Sequence, residues 1–182
     1  KEKKLVHKSQ HTSKEEKGIA NMYCLYNQGE EQKAFQQARV FLKSPNSERT
    51  IACSNLLLAY YFNKRAVIDS SLYYTRQALK FNTTVNDSLK NRLYTLSYNL
   101  LAINYKKKGL LQESKKWHIK GIQASQKYKE TNLFYTHTHG LARIYSDLGD
   151  YEKALKLFKT CLAYKEDSEI ILGSYINMGD IY

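Results

Sequence analysis

Leu141-Ala142-Arg143-Ile144-Tyr145-Ser146-Asp147-Leu148-Gly149-Asp150-Tyr151-Glu152-Lys153-Ala154-Leu155 reads as the end of one amphipathic helix, a tight turn, and the start of another. Upstream of the turn, Phe134, Leu141, Tyr145 and Leu148 recur at spacings that keep them on one helical face. Gly149 suits the left-handed residue that ends many helices, because it has no Cβ to clash there. Asp150 is a good cap for the helix that follows. Tyr151, Ala154, Leu155, Phe158 and Leu162 then form a second stripe, with Ala154 small where two helices need to approach closely.

The same order recurs upstream. Leu101-Ala102-Ile103-Asn104-Tyr105 precedes Gly109, and Ser114, Trp117 and Ile122 follow it. Leu58-Ala59-Tyr60-Tyr61-Phe62 precedes Ala66, with Ser71, Ala78 and Leu79 after it. A weaker copy places Met22 and Leu25 before Gly29, and Ala34, Phe41 and Leu42 after it. Tyr175-Ile176-Asn177-Met178-Gly179-Asp180-Ile181-Tyr182 reads as the first helix of a fifth unit. The pattern resembles the tetratricopeptide repeat, a helix–turn–helix unit. The best copy carries the resemblance on Leu141, Ala142, Tyr145, Gly149, Tyr151, Ala154, Phe158 and Leu162, with Cys161 in place of a small alanine and without the family's late proline. The turns at 29, 66, 109 and 149 are more widely spaced than the family's repeat of about 34 residues.

The resemblance implies an all-α, right-handed α-α superhelix of about four and a half repeats, at 14–46, 47–86, 87–130, 131–166 and, in part, 167–182, in one solenoid behind a basic lead-in at 1–13. The connections agree with this division. Ser13-x-x-Glu16 has the form of a capping box opening the first helix. Ser44-Pro45-Asn46-Ser47 breaks the chain after the first pair. The stretch from Asn82 to Asp87 separates the second pair from the third, and Thr131-Asn132 opens the fourth.

Composition excludes several alternatives. One proline and eight glycines in 182 residues are too few for the turns of a β-sandwich or barrel. Cys24, Cys53 and Cys161 are odd in number and lack a CxxC, so neither a disulfide framework nor a zinc ribbon is expected, and the thiols read as buried or partly buried. No apolar run approaches the roughly 20 residues of a membrane-spanning helix. The sequence opens on Lys1 and stops inside a repeat, which suggests part of a longer protein with a processed or trimmed start. The compartment stays open between cytoplasm and periplasm.

Catalytic signatures are equally sparse. There is no GxSxG elbow, HExxH pair or phosphate-binding glycine loop. His137 and His139, two apart on a helix, point about 200° away from each other and do not suit a shared metal. His7 and His11 have i,i+4 spacing but sit in the Lys-rich start with no acidic or thiol partner. An enzyme would require His137, His139 and Cys161 to gather into one polar cluster. No cofactor or metal is expected.

The net charge of +12 concentrates between Lys106 and Lys129, where Lys106, Lys107 and Lys108 adjoin one turn. That segment lacks arginine and a recognition-helix motif, which disfavours nucleic acid and favours a solvated lysine face. An acidic protein partner or an anionic membrane surface fits the charge. Most of the sixteen tyrosines, including Tyr61, Tyr73, Tyr74, Tyr94, Tyr98, Tyr105 and Tyr145, fall on helical stripes and read as packing aromatics.

In the family the ligand-facing residues come from the first helix of each pair. By position, the resemblance implies a groove of Tyr23, Tyr26, Asn27, Tyr60, Asn63, Lys64, Asn99, Ile103, Lys106, His139, Arg143 and Ser146. Amides, cations and aromatics in this mixture suit an extended peptide. The carboxylate-clamp pattern of chaperone-binding members is not in register. The expected role is therefore a non-catalytic protein- or peptide-binding scaffold. Lys- and Asn-rich, proline-poor repeats of this length are similar to the sensor regions of Bacteroidetes regulators. A signalling-peptide receptor like the Rap and PlcR regulators of Gram-positive bacteria is the alternative.

Overall fold

The computed structural model describes residues 2–44, 46–80 and 88–182, and the side chains of 14–44, 46–80 and 90–182. Among them are nine helices and no strand: α1 (Glu2–Asn27), α2 (Glu31–Lys43), α3 (Glu48–Lys64), α4 (Ile68–Ala78), α5 (Ser88–Lys107), α6 (Leu111–Tyr128), α7 (Thr131–Asp147), α8 (Tyr151–Cys161) and α9 (Ser168–Gly179). The all-α expectation is met. The chain forms two compact units, Lys1–Thr84 and Val85–Tyr182. The expected Asn82–Asp87 connection lies outside the described residues.

The four turns read from the sequence share one geometry. Gly29, Ala66, Gly109 and Gly149 have φ of +83°, +58°, +74° and +78°. The next residue donates its N–H five positions back, to the carbonyls of Leu25, Phe62, Tyr105 and Tyr145 at 2.9–3.0 Å. This satisfies carbonyls left open at a helix end and turns the chain back on itself. Three glycines make the conformation cheap, and Ala66 adopts it against its Cβ.

The last three of these turns bring small residues face to face. Ser71 donates to the Ala59 carbonyl and Ser114 to the Ala102 carbonyl, both at 2.8 Å and fully buried. In the next repeat Ala142 and Ala154 meet in the same way, both fully buried, with Phe158 beside them. Tyr145, Leu157, Met178 and Ile181 pack around that cluster. A serine hydroxyl is tolerated at this close approach because it gives its proton to a carbonyl on the facing helix.

Helix ends follow local chemistry. Ser47 caps α3 by accepting the Thr50 N–H at 3.3 Å, Asp150 caps α8 through the Lys153 N–H, and Asp167 caps α9 through the N–H groups of Glu169 and Ile170. Thr131 opens α7 as expected.

Some readings change. Helix α1 begins at Glu2, so Ser13 and Glu16 lie inside it and form no capping box. The acids are used between helices instead: Thr50 donates to Glu15 at 2.8 Å, and Arg49 pairs with Glu16 at 3.1 Å. Tyr151 is exposed, and the inner stripe of α8 is Ala154, Phe158 and Cys161. Tyr73 is exposed too, as is Cys24, while Cys53 and Cys161 are buried.

In the first unit, α1 packs on both α2 and α3, and α3 on α4. In the second, α5, α7 and α9 are successive first helices that touch directly, α5 on α7 and α7 on α9. That layer positions the candidate site.

Candidate ligand-binding site

The second unit holds a cavity of about 420 Å³. Helix α5 supplies Asn99, Ile103, Lys106 and Lys107, α6 supplies His118, and α7 supplies Thr136, His139, Gly140 and Arg143. The size is that of an ordinary small-ligand or side-chain pocket. Asn99, Ile103, Lys106, His139 and Arg143 are five residues that the sequence places on the groove side. The structure brings them together around one space, and leaves Ser146 outside its wall.

The polar groups of the wall are of two kinds. Lys106, Lys107, Arg143 and the Asn99 amide can donate hydrogen bonds. Lys106 is ion-paired to Asp147 at 2.7 Å. Among the described residues no carboxylate is paired with Arg143. Thr136 donates its hydroxyl proton to the Asn132 carbonyl at 3.0 Å, so its oxygen turns only lone pairs outward. Ile103 contributes the apolar part.

His118 and His137 form the buried back of the site. Both are almost inaccessible, at 3% and 0% exposed. Their Nδ1 atoms lie 3.3 Å apart, and Nε2 of His137 lies 3.0 Å from the Thr95 carbonyl. The rings fit between α6 and α7 because each faces a glycine. A Cβ on Gly121 would stand 2.0 Å from Cε1 of His137, and one on Gly140 would stand 2.2 Å from Cε1 of His118. The sequence carries the two halves of this exchange as His118-x-x-Gly121 and His137-x-x-Gly140.

Burial holds both imidazoles neutral. It lowers the pKa of His118 to about 3, with further lowering from His137, Lys106, Arg143 and His139. It lowers His137 to about 4, against a small opposing effect of the Thr95 carbonyl. His139 is lowered as well, by burial first and then by Arg143, while the Gly173 carbonyl nearby opposes the shift. Nε2 of His139 is buried with no hydrogen-bond partner, against Gly173 of α9.

His137, His139 and Cys161 each turn to different neighbours. His137 faces α5 and α6, whereas His139 sets its ring edge against Phe158. Cys161 turns toward the Tyr135 carbonyl, and burial pushes its thiol up to about 12. Among the described residues no group of three or more His, Cys, Asp or Glu could hold a metal ion, and no helix is long and apolar enough to cross a membrane.

The first unit places its candidates differently. Tyr23 donates its hydroxyl to the Cys53 carbonyl at 3.0 Å, and burial pushes its phenol well above the usual value. Its polar end is committed to the α1–α3 contact, and Tyr60 lies beside it. Tyr26 is half-buried near Glu31, Lys64 and Arg65. Lys64 is paired with Glu31, which also holds Arg65 at 3.0 Å. Asn27 is exposed and Asn63 half-buried.

Lys107, His118, Thr136 and Gly140 line the cavity without having stood out on the groove side of the sequence. His118 is on a second helix, where the repeat register assigns no ligand contact. The recurring His-x-x-Gly is the one signal that marks it.

Comparison with known proteins agrees with the repeat. Residues 93–167 match the family model described as tetratricopeptide repeat. Among solved structures, the chain is similar to the crystal structure of BtubC (BKLC) from P. vanneervenii, with a TM-score of 0.69 and 16% identity over 88% of this chain and 68% of that one. At that identity the likeness concerns the fold. No curated protein matches the sequence.

Proposed function

We propose, for a chain whose residues 93–167 match the tetratricopeptide-repeat model, a non-catalytic peptide-binding scaffold that takes an acidic segment of its partner into the cavity between α5, α6 and α7. One observation carries this reading: Asn99, Ile103, Lys106, His139 and Arg143 line a single space, with the Arg143 guanidinium unpaired at its rim. A carboxylate there gains charge-assisted hydrogen bonds from a planar donor. Ile103 offers contact to the methylene groups of an acidic side chain. Binding of this kind is recognition without chemistry.

The length and composition of the repeats support a place in the sensor region of a larger bacterial regulator, the bound segment being the signal. A signalling-peptide receptor is the second reading. Asn99 favours it, because its side-chain amide lies in the cavity wall and can bond a peptide backbone.

Calorimetric titration with blocked hexapeptides tests the proposal. The probe carries two glutamates; its counterparts carry glutamine or lysine in their place. Binding is expected for the glutamate peptide, weakened about tenfold or more by Arg143→Ala and by raised salt. Equal binding of the three peptides, or no effect of Arg143→Ala, would refute it.

A further inference from the structure

Three helices meet at the His118–His137 pair, and their hydrogen bonds leave only one arrangement of protons. The Thr95 carbonyl can only accept, so Nε2 of His137 carries the proton it donates at 3.0 Å. His137 is neutral, with its pKa lowered to about 4, and a neutral imidazole has one N–H. Its Nδ1 is therefore a bare lone pair. That lone pair faces Nδ1 of His118 at 3.3 Å, so the proton in this contact belongs to His118. His118 is neutral too, which leaves its Nε2 without a proton. The Thr95 backbone carbonyl thus sets the tautomer of His118 two links away.

The bare nitrogen is on the ring edge that faces Gly140. The Cε1–Nε2 edge of His118 rests over Gly140, where a Cβ would stand 2.2 Å from Cε1 and 2.5 Å from Nε2. His118 and Gly140 both belong to the cavity wall. Among the described residues no protein group donates to Nε2. Lys106, Arg143 and His139 are the charged or titratable side chains facing His118 besides His137. The cavity therefore combines cationic donors with a fixed, buried acceptor.

We propose that His118 Nε2 is a specificity-determining acceptor, which selects a ligand carrying a hydrogen-bond donor next to its anion. For the acidic segment proposed above, on which this inference rests, the donor is a backbone N–H beside the carboxylate-bearing residue. A simple carboxylate would satisfy Arg143 and leave the imidazole lone pair dry and unpaired, which is costly in a buried site. The requirement also selects against anions that offer acceptors alone.

Two measurements on the full chain test this. Nitrogen-15 NMR of the histidine rings should show His118 protonated at Nδ1 and bare at Nε2, and His137 the reverse. A protonated Nε2 on His118 would overturn the assignment without any ligand. Next, the two-glutamate hexapeptide is compared with versions N-methylated at one amide at a time. One position should lose affinity about tenfold when its N–H is removed. That loss should vanish in His118→Leu. If every methylated peptide binds like the parent, or the loss persists in His118→Leu, the inference falls while the peptide-binding reading stands. If the parent peptide itself fails to bind, both fall.

Discussion

Acidification from pH 7.5 to 5 should destabilise the second unit chiefly through His118 and His137, with His139 adding in the same direction. Both are neutral when folded, with pKa values lowered to about 3 and about 4 from an ordinary value of 6.5. The unfolded chain therefore takes up protons first as pH falls. Above 6.5 their contribution to stability is fully present. It is lost progressively below 6.5 and stops changing near the folded values. At pH 5 an unfolded histidine is 1.5 pH units below its pKa, which costs the folded state about 2 kcal/mol per residue, or about 4 kcal/mol for the pair. Carboxylates titrate lower, so the window between 7 and 5 reports mostly on histidine. Trp117, the only tryptophan, lies on α6 beside Tyr98 and reports on this unit alone. Urea unfolding followed by its fluorescence at pH 7.5, 6 and 5 measures the loss. A double variant, His118→Leu with His137→Leu, should lose most of the dependence. A wild-type loss under about 1 kcal/mol at pH 5, or an equal loss in the double variant, would show that the two rings are not held neutral by burial.

Three further outcomes test the packing. Gly121→Ala forces a methyl into the His137 ring and should cost about 2–3 kcal/mol by the same fluorescence assay. Ala66→Gly relieves a left-handed alanine at the position that glycine fills in the other three turns. It should raise stability by about 0.5 kcal/mol after the entropy of glycine is set against the strain, measured by thermal unfolding. A thiol reagent at pH 8 should modify Cys24 within minutes and leave Cys53 and Cys161 unmodified until the chain is denatured.

Much of the fold is legible because the repeat states each feature several times. The positions read as turns, 29, 66, 109 and 149, all adopt positive φ, including the one without glycine. The small residues Ala59, Ala102 and Ala142 are all fully buried. Features stated once are harder. Ser13-x-x-Glu16 has the chemistry of a cap, yet the lysines and glutamates around it are good helix formers and let α1 run through. The two acids find Thr50 and Arg49 on α3, partners that no local pattern shows. Tyr151 follows the turn and falls in the apolar stripe by spacing, but its place in the first turn of α8 leaves it at the surface.

The site divides in the same way. Asn99, Ile103, Lys106, His139 and Arg143 could be placed on one side because the register of first helices is a local property. His118 could not, because its role depends on α6 meeting α7 across a pair of glycines. The first-unit candidates show the reverse difficulty. Tyr23 has the right register, but its hydroxyl is held by a backbone carbonyl of α3.

Binding of an acidic segment at α5, α6 and α7 is tested by mapping where the two-glutamate hexapeptide binds on this chain, by amide shift changes in two-dimensional NMR. Saturable changes are expected at Asn99, Ile103, Thr136, Gly140 and Arg143, abolished by Arg143→Ala. Changes confined to α1 and α3, or none at all, would mean that the peptide does not bind at this cavity.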